Sequence, residues 1–239
     1  GLTEEVILNG AKLAFEGGWN RVKLYFMLGL PTETEEDIRG IAELSNKIAS
    51  TYYETVPKEK RNGKVQIVAS TSFFIPKPFT PFQWAPMDNL ENVREKISAL
   101  RGEIKSRAIS YNWHETLVSY MEAVIARGDR RICDVIIKAY EKGARLDGWS
   151  EFFNYDIWME AFKECNVDPD FYVHRERDYE EILPWDFIEI GVTKNYLKRE
   201  NEKAKKAALT QDCRLGCTGC GVNRNAFAKG ECFEGALFN

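Results

Sequence analysis

The sequence predicts an α/β protein: a few strand–loop–helix units forming a parallel sheet or part of a barrel, then a mainly helical extension and a cysteine-rich tail. Three observations predict it. Residues 22–28 form a near-continuous apolar run that stops at a glycine and a proline and leads into an amphipathic helix pattern. The same strand–loop–helix order recurs over residues 65–108, and from about residue 115 only helical periodicity remains. Four of the six cysteines fall in the last 27 residues.

A chain of 239 residues can bury a sizeable core and make one large domain or a domain plus a smaller module. With 44% hydrophobic and 29% charged residues and a formal net charge of -4, it is not a disordered chain, and its overall charge gives no sign of a nucleic-acid partner. No stretch approaches the roughly 18 to 20 consecutive apolar residues of a membrane span, and no signal peptide opens the chain, so no membrane partner and a cytoplasmic setting are expected.

"LTEEVILNGAKLAFEGG" carries a helix with Leu2, Ile7, Leu8, Ala11, Leu13 and Ala14 on its apolar side. It begins at Gly1 without an initiator Met and needs a sheet to cover, which predicts a piece of a longer protein. Val22, Leu24, Tyr25, Phe26, Met27 and Leu28 then read as a strand covered on both faces. Gly29 and Pro31 end it. Thr32 or Thr34 caps the next helix, each with an acidic residue three positions on, and Glu33, Glu35, Glu36 and Asp37 crowd the positive end of the helix dipole. The turn therefore lies at the C-terminal end of a strand, where parallel α/β folds place their sites. Its carboxylates make a phosphate cradle a poor reading.

"VQIVASTSFFI" (65–75) reads as a second buried strand, and the prolines of "PKPFTPFQWAPM" exclude a helix after it. Residues 89–108 resume a helix, and "ISYNWH" is one short further strand. Four helical patterns follow, in "ETLVSYMEAVIARGD", "RRICDVIIKAYEKGA", "SEFFNYDIWMEAFKEC" and "TKNYLKRENEKAKKAAL", broken at Gly128, Gly143 and Gly148. Cys133 and Cys165 lie in these apolar patterns and read as inert core cysteines. "RGDRR" (127–131) reads as a helix end at Gly128, an Asp129 cap and a solvated turn whose arginines have the chemistry to meet a phosphate. The only histidines, His114 and His174, have no metal-spaced partner. The six tryptophans read mostly as core and interface anchors.

"TQDCRLGCTGCGVN" is the sharpest chemical signal. Cys213, Cys217 and Cys220 stand in a C-x3-C-x2-C array with Gly216, Gly219 and Gly221 among them, so the backbone can curl until several sulfurs and amide groups converge on one center. Cys232 can close a four-thiolate set. Thiolates select zinc or an iron–sulfur cluster, and the pattern does not separate the two.

"KLYFMLGLPTETEEDI" resembles the fifth strand and following turn of the radical S-adenosylmethionine (SAM) barrel, as in its methylthiotransferase-like and Elongator-like members. "TSFFIPKPFTPFQW" is similar to the sixth strand and its loop, and "RGDRR", "LDGWSEFF", "LPWDFI" and "DCRLGCTGCGV" resemble the C-terminal region of an uncharacterized group with a cobalamin-binding-like N-terminal domain and a radical-SAM-linked domain. The resemblance implies the C-terminal half of a partial (βα) radical SAM barrel over residues 1–113, a helical extension over 114–208 and a cysteine-rich metal-binding module over 209–239. It implies an oxidoreductase that cleaves SAM with a [4Fe-4S] cluster whose ligands lie upstream of Gly1, so that this piece alone is inactive. Cys213, Cys217 and Cys220 have the spacing of that catalytic cluster but stand at the wrong end of the chain, which points to a second site, an auxiliary Fe–S cluster or zinc. By the same resemblance Met27, Leu28, Gly29, Leu30 and Pro31 flank the SAM adenine, Ser72 and Phe74 touch it from the next strand, and Thr32 and Glu33 fix the turn. The family's further cysteine after Cys220 is replaced here by Val222 and Asn223. The expected partners are the missing N-terminal part of the protein and the radical-SAM-linked domain; cobalamin and an RNA substrate are compatible with the resemblance. A rival reading is a non-enzymatic nucleic-acid- or protein-binding module on a zinc site, suggested by Lys194, Lys198, Arg199, Lys203, Lys205, Lys206 and Arg214, although a solvated helix face with Glu200 and Glu202 interspersed explains the same run.

Overall fold

Strands Arg21–Leu28 (β1), Gln66–Phe73 (β2) and Ile109–Trp113 (β3) form one parallel sheet in the order β1-β2-β3. The computed structural model describes residues 2–222. The strand–loop–helix units read from the sequence are present: Glu4–Glu16 (α1) precedes β1, Glu35–Thr55 (α2) joins β1 to β2, and Leu90–Glu103 (α3) precedes β3. The described residues form two compact units. The first runs to Phe74 and takes in Asp88–Ser119; the second takes Ile75–Met87 and the chain from Tyr120 onward.

In the first unit the strand register decides which side chains share a face. Val22 pairs with Ile67, and Ile67 with Ile109; Leu24 lies level with Ala69 and Tyr111. Successive strand residues point to opposite faces. This face is covered: Ala11 and Phe15 of α1 and Ile48, Ala49 and Tyr52 of α2 pack with Ile67 and Ile109 into one cluster, joined by Val22 and Leu24. Ile48 and Ile67 are fully buried, each stabilizing the unit by roughly 1.5–3 kcal/mol. Phe15 meets Tyr52 edge-on at 5.2 Å.

Among the described residues the other face is exposed along β1 and β3, while Val68 at its center is buried and Ser70 and Ser72 are half-buried. Lys23 lies level with Val68 and Ser110, Tyr25 with Ser70 and Asn112, and Met27 with Ser72. Tyr25 is 74% and Met27 43% exposed, and β1 alternates exposed and half-buried residues along most of its length. This corrects the reading of β1 as a strand covered on both faces. Its apolar run does not alternate in sequence, but the cluster that packs against the sheet takes up only the Val22 and Leu24 side.

The second unit contains Thr116–Arg127 (α4) from Tyr120 on, Arg131–Glu141 (α5), Tyr155–Glu164 (α6), a single turn at Asp170–Val173 (α7) and Lys194–Lys205 (α8). The proline-rich segment 75–87 belongs here. Trp84, Leu183, Trp185 and Leu197 form one of its apolar clusters. Gln83, 2% exposed, accepts from the Trp185 indole at 2.8 Å and from the Phe79 amide at 3.0 Å. Arg127 is wholly buried, and donates to the carbonyls of Tyr172 (2.8 Å), Gln83 (3.2 Å) and Pro76 (3.3 Å). The solvated turn expected at residues 127–131 is thus corrected at its first residue: a segment without regular hydrogen bonds leaves carbonyls unsatisfied, and a five-donor guanidinium is suited to collect them. Asp129 does serve the next helix, accepting from the Arg131 amide at 3.0 Å.

The cysteines of the helical extension also depart from expectation. Cys133 is exposed and Cys165 half-buried. On α5 the buried residues are Ile132, Val135 and Ala139, an i, i+3, i+7 stripe, and Cys133 stands one step of about 100° off it. Among the tryptophans Trp84, Trp158 and Trp185 are buried, whereas Trp19 and Trp149 are largely exposed. Among the described residues no helix is long and apolar enough to cross a membrane.

Candidate functional site

The turn after β1 is built by its own sequence. Gly29 has φ +82°, in the region where a side chain is strained, and a Cβ there would lie 3.4 Å from the Cβ of Asp88. Thr32 takes φ 69° without being glycine, a conformation that costs about 1–2 kcal/mol and must be held from outside. The Glu33 carboxylate holds it by accepting from the Gly29 amide at 2.9 and 3.1 Å, while the Glu33 amide donates to the Leu30 carbonyl at 3.0 Å. Thr34 is the N-cap of α2 in a full capping box with Asp37. The Thr34 amide and hydroxyl on the Asp37 carboxyl hold it below the usual carboxylate range.

A second layer secures Glu33. Lys96 of α3 lies 2.8 Å from Glu33 and 2.7 Å from Asp88, with side-chain exposures of 23%, 6% and 15% respectively. Asn92 donates to Asp88 at 2.8 Å, as does the Asn89 amide at 3.0 Å. Burial pushes Asp88 up, but the hydrogen bonds from Lys96 and Asn92 and the Lys96 charge outweigh it, so its carboxyl sits below its ordinary value. Burial likewise pushes Lys96 down, and its bonds to Asp88 and Glu33 leave it raised. Lys96 and Asp88 were not found from the sequence. Their partner lies more than 50 residues away, and the one local signal is an acidic residue beside the Asn89 cap of α3.

The structure brings together most of the residues named for a SAM site. Met27 pairs with Ser72 and Leu28 with Phe73, and the Phe74 amide donates to the Leu28 carbonyl at 2.8 Å, so Met27–Glu33 and Ser72–Phe74 share the C-terminal end of the sheet. The Ser72 hydroxyl reaches the Phe26 carbonyl at 3.4 Å. Their side chains divide between core and surface. Met27 and Leu30 are exposed and Ser72 is half-buried, whereas Leu28 and Phe74 are core residues at 0% and 7% exposure, and the Leu28 carbonyl is taken by the Phe74 amide, so Leu28 offers a ligand nothing. Beside the turn, a cavity of about 410 Å³ lies between the start of α2 and α3, walled by Glu33, Glu35, Arg39, Glu95, Lys96 and Glu103. It contains neither Met27 nor Ser72, and its excess of carboxylates disfavors an anion.

The cysteine loop belongs to the second unit and rests on α8. Thr193, the N-cap of α8, donates through its amide (2.9 Å) and hydroxyl (3.3 Å) to the Cys220 carbonyl. Arg199 donates to the Thr218 carbonyl at 2.5 Å, and the Gly219 amide points at the Cys217 sulfur at 3.4 Å. Gly219 and Gly221 have φ +70° and +103°, and a Cβ on Gly221 would meet the Thr193 methyl at 2.5 Å. The curled backbone, the amide aimed at sulfur and the exposed thiols of Cys213 and Cys217 fit a thiophilic metal. The ligand set itself is incomplete: among the described residues no group of three or more Cys, His, Asp or Glu side chains is arranged around one point, and Cys232 lies outside them.

The basic run of α8 is matched locally. Lys194 pairs with Asp186 (2.8 Å), Lys198 with Glu180 (2.5 Å), Lys203 with Glu200 (3.0 Å) and Lys205 with Glu202 (3.2 Å), and Arg214 folds onto Asp212 at 2.5 Å. These pairs leave little of the positive stripe a polyanion would need.

No protein-family model matches the chain, and no solved structure matches it. An uncharacterized protein of Methanocaldococcus jannaschii is 31% identical to it over 167 residues, 66% of this chain and 34% of that protein. The chain thus spans about a third of the length of the curated relative it matches.

Proposed function

We propose that this chain is the C-terminal part of a radical SAM enzyme, a partial barrel followed by a helical extension and a cysteine-ligated metal module. One observation carries the reading. A parallel sheet has helices on one face, a partly exposed polar and aromatic face on the other, and a locked Gly29–Glu33 turn at its C-terminal end, where Met27 and Ser72 stand side by side. The helix-free face is the one that turns inward when such a sheet closes, and parallel α/β folds build their sites at this end. A match to only a third of the relative's length agrees with a protein that has more to supply.

When bound, the upstream cluster supplies the electron that cleaves SAM. The residues of this chain bind and orient. Met27 offers a polarizable apolar surface for an adenine ring, Ser72 offers a hydroxyl, and Gly29 lets backbone approach without a Cβ. Glu33, Lys96 and Asp88 act through Gly29 as positioning residues. Tyr25, Ser70 and Asn112, farther down the helix-free face, are the substrate-side candidates. At the C-terminus Cys213, Cys217 and Cys220, with Cys232, are the proposed ligands of an auxiliary cluster or zinc.

The rival, a nucleic-acid-binding zinc module, has less behind it because the lysines of α8 are paired with carboxylates on their own unit. The test is SAM affinity in the full-length protein containing this segment. Met27→Arg places a charge and bulk on an exposed position, so folding should be kept. We expect it to weaken SAM at least tenfold, and unchanged affinity would remove this face from the site.

A further inference from the structure

Arg127 and Arg177 are the most deeply buried charged side chains among the described residues, at 0% and 3% exposure. Both lie in the second unit. Their guanidinium groups are neighbors: the Arg127 Nε donates to the Tyr172 carbonyl at 2.8 Å, and Arg177 Nη2 approaches the same oxygen at 3.4 Å while donating to the Arg127 carbonyl at 3.0 Å. Every hydrogen-bond acceptor found for them is a backbone carbonyl, and neither lies within 4 Å of a described carboxylate. Nearby acids are taken: Glu181 is held by Arg175 at 2.6 and 2.8 Å, and Asp129 by Arg131 and the Tyr172 hydroxyl. Trp185 lies under Arg177 at 5.1 Å, which softens one charge without neutralizing it.

Three donor nitrogens are left over. Arg127 Nη2 and Arg177 Nε and Nη1 are buried without a partner. Buried polar groups are nearly always satisfied by protein, water or an ion, and two adjacent desolvated cations without a direct ion pair are costly for a core to hold, even with Glu181 acting on both from farther off. Burial first, then the neighboring arginines, push Arg127 down to about 9, and burial lowers Arg177 as well.

We propose that the Arg127–Arg177 pair is the receptor for one small oxyanion of the phosphate class, enclosed within the second unit. The charge count favors phosphate over a carboxylate: two guanidinium groups carry +2, and a phosphate group carries about -1.5 to -2 at neutral pH. Its oxygens can accept from the unpartnered nitrogens, Nη2 of Arg127 and Nε or Nη1 of Arg177. The groove of about 650 Å³ nearest in sequence, lined by Gly128, Asp129, Arg130, Leu183, Pro184 and Phe187, does not include either arginine, so the anion would be enclosed rather than held in an open cleft. The anion would tie α4 to the segment carrying Tyr172 and Arg177, and so hold the RGDRR turn in place.

The chain is titrated with inorganic phosphate, and separately with formate, at ionic strength held constant with sodium chloride, while its thermal unfolding is followed. The proposal expects phosphate alone to give a saturable rise in unfolding temperature. Arg177→Lys keeps the charge but loses the unpartnered Nε and Nη1 donors, and should weaken the apparent phosphate affinity at least tenfold, whereas Arg214→Gln on the exposed cysteine loop should leave it within twofold. If Arg177→Lys does not fold, the contrast between phosphate and formate on the unaltered chain still decides. Equal, unsaturable responses to phosphate, formate and chloride would mean that water alone solvates the pair, and would overturn the proposal.

Discussion

Gly29 holds a backbone conformation that the rest of the turn is built to fix, so it is the residue at which the proposed site is most easily broken. Gly29→Ala should cost about 1–2 kcal/mol, read as a lower denaturant midpoint, because φ +82° is retained only under strain and the new methyl approaches Asp88. Lys96→Met should cost about 1–3 kcal/mol by leaving the Glu33 and Asp88 carboxylates unpaired; the figure stays below that for a fully buried pair because the ammonium keeps 23% exposure. The same triad sets a pH signature. Asp88 is depressed in the folded chain, so its stabilization is fully present above the unfolded value of about 3.9 and is lost as pH falls through the lower folded value. Lys96 is raised, so its share is fully present below about 10.4 and is lost as pH rises through the higher folded value. Unfolding followed from pH 2 to pH 11 should show a plateau between these limits, with shallower flanks in Lys96→Met. Of this layer only Glu33 was legible in the sequence, as part of an acidic run after a Gly-x-Pro turn. Lys96 is one of many lysines on a helix, and nothing local says that it turns inward.

At the scale of elements, the strands and helices follow from periodicity and caps. Of the two caps read for α2, Thr34 with Asp37 is the one that accepts the amide hydrogen bond, and the structure adds Asn89 for α3 and Thr193 for α8, which the sequence reading did not name. The one-sided cover of β1 did not follow, because apart from Lys23 the run is apolar and gives little alternation from which to read which face is filled. The role of segment 75–87 was hidden for another reason. Its prolines exclude a helix, but the partners of its carbonyls, Arg127 and Arg177, come from 40 to 100 residues later. The docking of the cysteine loop on α8 gives this scale its own test. Gly221→Ala should drive a methyl into Thr193, and amide exchange over residues 213–221 should then accelerate by at least tenfold without change in the first unit. Anaerobic metal analysis with absorption spectra, beside a Cys213→Ala, Cys217→Ala, Cys220→Ala variant, should show bound metal only in the unaltered chain. Iron, sulfide and a broad band near about 400 nm identify a cluster, one zinc and no color identify a structural site, and no metal in either chain removes the module.

For the whole molecule, the exposed residues of the sheet and the relative of about three times the matched length underlie the proposal that this chain supplies one wall of a larger cavity. The account is carried by the geometry of the first unit, since the order of motifs along the sequence cannot say whether Met27, Ser72 and the Gly29 turn share one end of one sheet. The measurement that tests it most directly is reductive SAM cleavage by the full-length protein, reconstituted anaerobically with iron and sulfide and supplied with dithionite. The account predicts 5′-deoxyadenosine formation that falls at least tenfold in Met27→Arg while the Cys213→Ala, Cys217→Ala, Cys220→Ala variant retains some cleavage, because the catalytic cluster is held upstream. No 5′-deoxyadenosine from a protein with its iron–sulfur content intact would contradict it.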